Sequence, residues 1–287
     1  MNHWVLASRL KTLTASISPV LVGVSLAIHD GEFQPFIAFM TLLAAVLIQI
    51  GANFANDVYD FLNGSDREDR LGPTRATQSG LIPPEDMKKG MWLVFALAIC
   101  VGFYLASIGG WPIVWIGLAS IASAIAYTGG PYPLGYHGWG DVFVFVFFGI
   151  IAVPGTYYLQ SGFVSYDSIL FGIPLGALST AILIVNNLRD ADTDIKSGKR
   201  TLAVRFGKTF VKIEYIIMMM VAFAIPIYIL QFWDELSLYI ILFLLPISIR
   251  LIQSLYNETG ISLNPVLVNT AQFLFHFSIL LSIGLIL

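Results

Sequence analysis

The chain has 287 residues, 57% of them hydrophobic and only 11% charged, with 15 Lys and Arg against 18 Asp and Glu for a net charge of −3. A soluble domain carries roughly a quarter charged residues, so a water-soluble fold is excluded, and no basic excess marks a nucleic-acid partner. The one cysteine, Cys100, lies in an apolar run and excludes an internal disulfide framework and a thiolate metal site.

At about 20 apolar residues per crossing, nine spans are expected, near 13–29, 36–56, 91–109, 112–127, 142–160, 168–187, 212–231, 236–254 and 266–287. The expected fold class is an all-α integral membrane bundle of nine transmembrane helices, forming a single polytopic domain over residues 1–287. The N-terminal stretch has the charged and apolar regions of a signal peptide but no convincing cleavage site, and it is taken as the first span. Alternation places the N-terminus and segments 57–90, 128–141, 188–211 and 255–265 on one face. Every Lys and Arg, from Arg9 and Lys11 through Arg67, Arg75, Lys199 and Arg205 to Lys212 and Arg250, falls on or beside that face. The other face has only Asp30, Glu32, Asp167, Asp234 and Glu235. The basic face is therefore expected to be cytoplasmic, in a multi-pass protein of the cell (inner) membrane. Trp4, Trp92, Trp111, Trp115, Trp139 and Trp233 fall near span ends, where indoles favour the headgroup region.

The second span runs into Asn53-Phe-Ala-Asn56-Asp57-Val-Tyr-Asp60, whose offsets place Asn53, Asn56, Asp57 and Asp60 on one helix face. Asn63-Gly64-Ser65-Asp66-Arg67 follows. The sixth span repeats the arrangement in Asn186-Asn187-Leu-Arg189-Asp190-Ala-Asp192-Thr-Asp194; Asp190 and Asp194 share a face and Asp192 points elsewhere. Acids at a helix C-terminus meet the negative end of the macrodipole and repel one another, so something cationic is expected between the motifs. Carboxylates with Asn carbonyls suit a hard, oxygen-seeking ion; Mg²⁺ commonly shares its shell with substrate phosphates. Arg67, Arg70 and Arg75 follow the first motif, and Lys196, Lys199, Arg200 and Arg205 the second, where they could clamp a diphosphate. The plainer readings are solvated acids at the interface and loop cations that reflect topology alone.

Between the motifs, Tyr127-Thr-Gly-Gly-Pro-Tyr132-Pro-Leu-Gly-Tyr136-His137-Gly-Trp139-Gly-Asp141 is a loop by its Gly and Pro content. Its rings could stack on an aromatic acceptor or shield a cation, or form only an interfacial girdle; His137 or Asp141 could move protons. Gly198-Lys199-Arg200-Thr201 lacks the upstream glycine and the Ser/Thr position of a nucleotide-binding loop.

These residues resemble the UbiA superfamily of intramembrane aromatic prenyltransferases over essentially the whole chain. Asn56, Asp57 and Asp60 match the first family motif; Gly64 stands where its third acid is expected and Asp66 follows, leaving Asp60 and Asp66 as alternatives for metal binding. Asp190 and Asp194 match the second. The continuation Gly198 to Val204, with Asp69 to Ala76 and Tyr127 to Leu134, is similar to the branch that prenylates 1,4-dihydroxy-2-naphthoate in menaquinone biosynthesis. The resemblance implies transfer from a polyprenyl diphosphate to the naphthoate, with loss of CO₂ and diphosphate. It implies that Asp57, Asp190, Asp194 and Asp60 or Asp66 hold Mg²⁺, and that Lys199 and Arg75 neutralise the leaving group. Asn53, Asn56, Asn186, Asn187, Tyr127, Tyr132 and His137 would contact substrate, and Asp60, Asp66 or His137 would assist acceptor deprotonation. The alternatives are 4-hydroxybenzoate as acceptor, a non-catalytic isoprenoid-binding scaffold, and an ion-coupled transporter.

Overall fold

A computed structural model describes residues 2–66, 70–230 and 236–287. Arg67, Asp69, Trp233, Asp234 and Glu235 of the sequence reading lie outside the described residues. The helices are α1 (His3–Ser8), α2 (Leu13–His29), α3 (Pro35–Leu62), α4 (Pro84–Ala126), α5 (Gly140–Phe145), α6 (Ala152–Ser161), α7 (Tyr166–Lys196), α8 (Leu202–Phe206), α9 (Lys208–Ile229), α10 (Leu245–Asn257) and α11 (Leu263–Ile286). Among the described residues there is no strand.

Eight helical stretches are long and apolar enough to cross a membrane, and one of them crosses twice. α4 has 43 residues, about 65 Å at the α-helical rise and twice a hydrocarbon core of roughly 30 Å. It breaks at Gly110 (φ 65°, ψ −155°), a backbone state that glycine adopts without penalty, and Pro112 follows. Met87, Met91 and Phe95 of the first arm pack with Ile121, Ala124 and Ile125 of the second, so the arms run back along each other. The described residues thus hold nine crossings, as the sequence pattern implies.

The helix ends differ from the expected spans. α3 continues six residues beyond 56 and α7 nine beyond 187, keeping both acidic motifs helical because their polar side chains find partners. The fifth crossing contains a π segment, Val146–Ile151, followed by Pro154, which has no N–H to return to residue 150. The eighth begins as a 3₁₀ stretch, Leu236–Leu244, and becomes α-helical only at Leu245, ahead of Pro246.

α7 is the central helix. Phe171, Leu175 and Leu178 on it join Tyr215 of α9 and Phe273 and Phe277 of α11 in the main core. Phe54 and Val58 of α3 pack on the first arm of α4. Ile37, Leu105, Ile113 and Leu159 close the end opposite the acidic motifs. Phe103, Trp111, Trp115 and Phe243 remain exposed on the outside, as a surface that meets lipid requires.

Candidate active site

Between these cores lies a cavity of about 1100 Å³. Its body is apolar, walled by Ile48, Ala98, Leu105, Ile113, Phe147, Ile151 and Leu159; its head, at the basic face, collects the ends of α3 and α7 and the loops that follow them. A charged chamber thus opens into a long greasy one.

On α3, Asn53 Nδ2 donates to the Ser8 carbonyl (2.8 Å) and the Thr12 hydroxyl (2.9 Å). Asn56 Oδ1 accepts from the Thr128 hydroxyl at 3.0 Å. Asp60 Oδ2 accepts from Arg75 Nη2 at 3.0 Å; its Oδ1 accepts from Tyr136 (2.9 Å) and from Lys199 Nζ (3.0 Å). The hydroxyls of Ser65 and Tyr136 meet at 2.5 Å, and with Tyr136 donating to Asp60, Ser65 donates to Tyr136. Asp66 pairs with Arg70 Nε at 2.8 Å and Arg75 Nε at 3.1 Å.

On α7, Arg189 grips its neighbour Asp190 through Nε (2.7 Å) and Nη2 (2.5 Å). The same guanidinium donates to Asn186 Oδ1 and Asn264 Oδ1, both at 2.8 Å, and Asn264 Nδ2 donates to the Leu71 carbonyl at 2.9 Å. The loop after the first motif is thereby moored to α7 and α11. Gly72 lies between the guanidiniums of Arg70 and Arg189, where a Cβ would come within 2.8 and 2.9 Å of them. Asp194 lines the head, and its carbonyl accepts the Lys199 N–H at 2.9 Å.

The expected cation between the motifs is supplied by the chain itself. Among the described residues no three Asp, Glu, His or Cys side chains stand together as a ready metal cage; Arg70, Arg75, Arg189 and Lys199 occupy that role. Burial, then repulsion from Asp60, pushes the Asp66 carboxyl up to about 7 against the pull of Arg70. Burial pulls the Lys199 ammonium down, but the carboxylates of Asp60 and Asp194 outweigh it and hold it above the ordinary lysine value. Burial, then Asp60, pushes the Tyr136 phenol well up, so it stays neutral as it donates to Asp60. The donor set fits Mg²⁺ on its chemistry: Asp60 on α3, Asp66 in the loop just after it, and Asp190 and Asp194 on α7 offer hard oxygens to one chamber.

Eleven of the sequence-derived site residues line this cavity: Asn53, Asn56, Asp60, Asp66, Arg75, Tyr127, Asn186, Asn187, Asp190, Asp194 and Lys199. Three do not. Asp57 is 1% exposed and lies behind the wall, its oxygens accepting the N–H groups of Ala76 (3.1 Å) and Thr77 (2.8 Å). Tyr132 and His137 stack on each other outside the cavity, with centroids 3.7 Å apart, and His137 Nδ1 meets the Pro133 carbonyl at 2.8 Å. Asp192 points away, to Lys208 at 2.7 Å, as its helical phase requires. The sequence reading gave no site role to Arg9 or Arg189, and to Tyr136 only the stacking role shared by the loop's rings. For Arg189 the signal was its place beside Asp190; for Arg9, and for the bond of Tyr136 to Asp60, it lay only in three dimensions.

A profile described as the UbiA prenyltransferase family matches residues 16–278. Relatives named 1,4-dihydroxy-2-naphthoate octaprenyltransferase include one from Escherichia coli, 39% identical over 71% of this chain and 68% of that protein, and one from Haemophilus influenzae, 33% identical over 100% and 96%. A protein of the same name from Mycobacterium tuberculosis is 38% identical over 74% and 73%. The fold is that of a UbiA homolog from Archaeoglobus fulgidus solved with DMAPP and Mg²⁺, with a TM-score of 0.68, 14% identity and coverage of 98% and 99%.

Proposed function

The chain belongs to the UbiA prenyltransferase family, and on that premise we propose that it transfers a polyprenyl group from polyprenyl diphosphate to 1,4-dihydroxy-2-naphthoate. The observation that carries the reading is the joining of a chamber of carboxylates and cations to an apolar cavity large enough for an isoprenoid; the relatives' shared name supplies the acceptor.

The allylic C–O bond breaks and its electron pair leaves with the diphosphate. The ring carbon bearing the carboxylate bonds to the allylic carbon; the electrons of its bond to the carboxylate return to the ring, and CO₂ departs. The product is the quinol of a demethylmenaquinone, a menaquinone precursor, and no net proton is released.

Asp60, Asp66, Asp190 and Asp194 would hold Mg²⁺, which when bound offsets diphosphate charge and eases its departure. Lys199 and Arg75, already gathered on Asp60, turn toward the leaving oxygens. Tyr136 orients Asp60. Asp57 fixes the turn that carries Arg75, which immediately precedes its contacts at Ala76 and Thr77. The cavity wall excludes water from the allylic cation while the tail lies among Leu105, Ile113 and Leu159. The basic face is cytoplasmic and the bundle sits in the cell membrane.

The direct test uses naphthoate labelled at its carboxyl carbon: labelled CO₂ should appear in step with prenylated product. Product that keeps the label would overturn the decarboxylative reading.

A further inference from the structure

Arg9 is the one residue other than glycine with a positive φ (48°) among the described residues. That left-handed state is disfavoured for an L side chain and is enforced from two sides. The Arg9 N–H donates to the Leu6 carbonyl at 3.2 Å, and the Arg9 carbonyl accepts the Thr12 N–H (2.8 Å) and hydroxyl (2.9 Å). Asn53 of α3 clamps both Ser8 and Thr12. The turn breaks the N-terminal helix and brings the Arg9 side chain to the cavity head.

Arg9 Nη2 is buried there without a hydrogen bond. Asp57 Oδ2 stands 3.9 Å away, close enough to favour the charge, but Asp57 spends its oxygens on Ala76 and Thr77. The cations assigned to the diphosphate are placed differently: Arg75 and Lys199 each touch Asp60 at 3.0 Å, and Arg75 also touches Asp66 at 3.1 Å. Along the cavity wall, Arg9 is accompanied by neutral hydrogen-bonding groups, those of Thr12, Ser16, Gln49, Asn53 and Asn56. Arg9 feels Asp66, Asp60 and Arg70 through space but among the described residues is within ion-pair distance of Asp57 alone, and a guanidinium with a free N–H beside neutral amides and hydroxyls matches a singly charged, hydroxylated acceptor better than a multiply charged diphosphate.

We propose that Arg9 binds the carboxylate of the aromatic acceptor and so selects a hydroxylated aromatic acid. The inference rests on the naphthoate reading above. It also accounts for release: CO₂ is neutral, so the guanidinium loses its hold once the carbon–carbon bond breaks.

The test is binding of 1-hydroxy-2-naphthoate and of 1-naphthol to purified protein in detergent, without donor, for wild type, Arg9→Gln and Arg9→Lys. A charge-assisted hydrogen bond predicts that wild type binds the carboxylated compound ~10–100-fold more tightly. Arg9→Gln should bring the two affinities within about threefold by weakening only the acid, with Arg9→Lys between. The unchanged affinity for 1-naphthol reports that the variant is folded, and the KM for the diphosphate donor should not move. Arg9→Gln that keeps the preference for the acid, or that raises the donor KM instead, overturns the assignment and leaves the naphthoate reading standing. Wild type that binds neither compound overturns the naphthoate reading itself, and this assignment with it.

Discussion

Lys199 Nζ lies 3.0 Å from Asp60 Oδ1, so the loop after the second acidic motif reaches the acid of the first although 139 residues separate them. The two halves of the chain share one charge network. That link also crosses the Tyr136 ring, 4.6 Å below the ammonium.

Lys199→Met removes the lysine that bonds Asp60 and leaves Asp60 its bonds to Arg75 and Tyr136. Loss of a donor that stabilises developing charge lowers turnover by ~10²–10³-fold. Steady-state kinetics should show the fall in kcat, with acceptor KM unchanged.

Asp57→Ala leaves the N–H groups of Ala76 and Thr77 without their acceptor in a buried place. Two orphaned donors cost about 2–5 kcal/mol. The melting temperature in detergent should fall and limited proteolysis should cut faster within 70–82, whereas Asp57→Asn, which keeps an acceptor, should lose less.

Gly149 on the π segment faces Gly172 and Gly176 of α7 so closely that a Cβ would lie 2.7 Å from the Gly172 carbonyl oxygen and 2.8 Å from Gly176 Cα. Both obstacles are backbone. Gly149→Val should destabilise the protein by about 1–3 kcal/mol through overpacking, read as an earlier thermal transition, while Gly155→Ala, with only Ile116 Cδ1 at 3.7 Å, should be nearly silent.

Asp66 has a folded pKa of about 7, above its ordinary 3.8. The folded state therefore binds this proton more tightly than the unfolded state, and the group's contribution to stability declines as pH rises from about 4 through about 7. Mg²⁺ requires the carboxylate. Magnesium binding should thus tighten between pH 6 and pH 8 and release protons at pH 6, measured by calorimetry in two buffers of different ionisation enthalpy. Asp66→Asn should reduce the proton release.

Much of the fold was legible because apolar length is a strong signal: the crossings at 91–109 and 112–127 follow from length alone, and Gly110 with Pro112 marks the reversal. Helical phase likewise turned Asp192 outward. Phase could not separate Asp57 from Asp60, three residues apart on one face, because their roles depend on where the turn at Arg75 to Ser79 docks. Tyr132 and Tyr136 share one loop and one side-chain chemistry, yet only Tyr136 reaches Asp60. Arg9 looked like a topological cation because a left-handed residue held by Asn53 leaves no periodic trace. Arg70, Arg75 and Lys199 were legible as basic residues near acids, while the pairing of each with Asp60 or Asp66 is tertiary.

The most direct measurement follows product formation from a labelled polyprenyl diphosphate by purified protein, given 1,4-dihydroxy-2-naphthoate or 4-hydroxybenzoate, with Mg²⁺ or EDTA, for wild type and Asp190→Asn. Product from the naphthoate alone, abolished by EDTA and by Asp190→Asn, is the expected result. Product from 4-hydroxybenzoate in place of the naphthoate, or undiminished product in Asp190→Asn, would contradict the account.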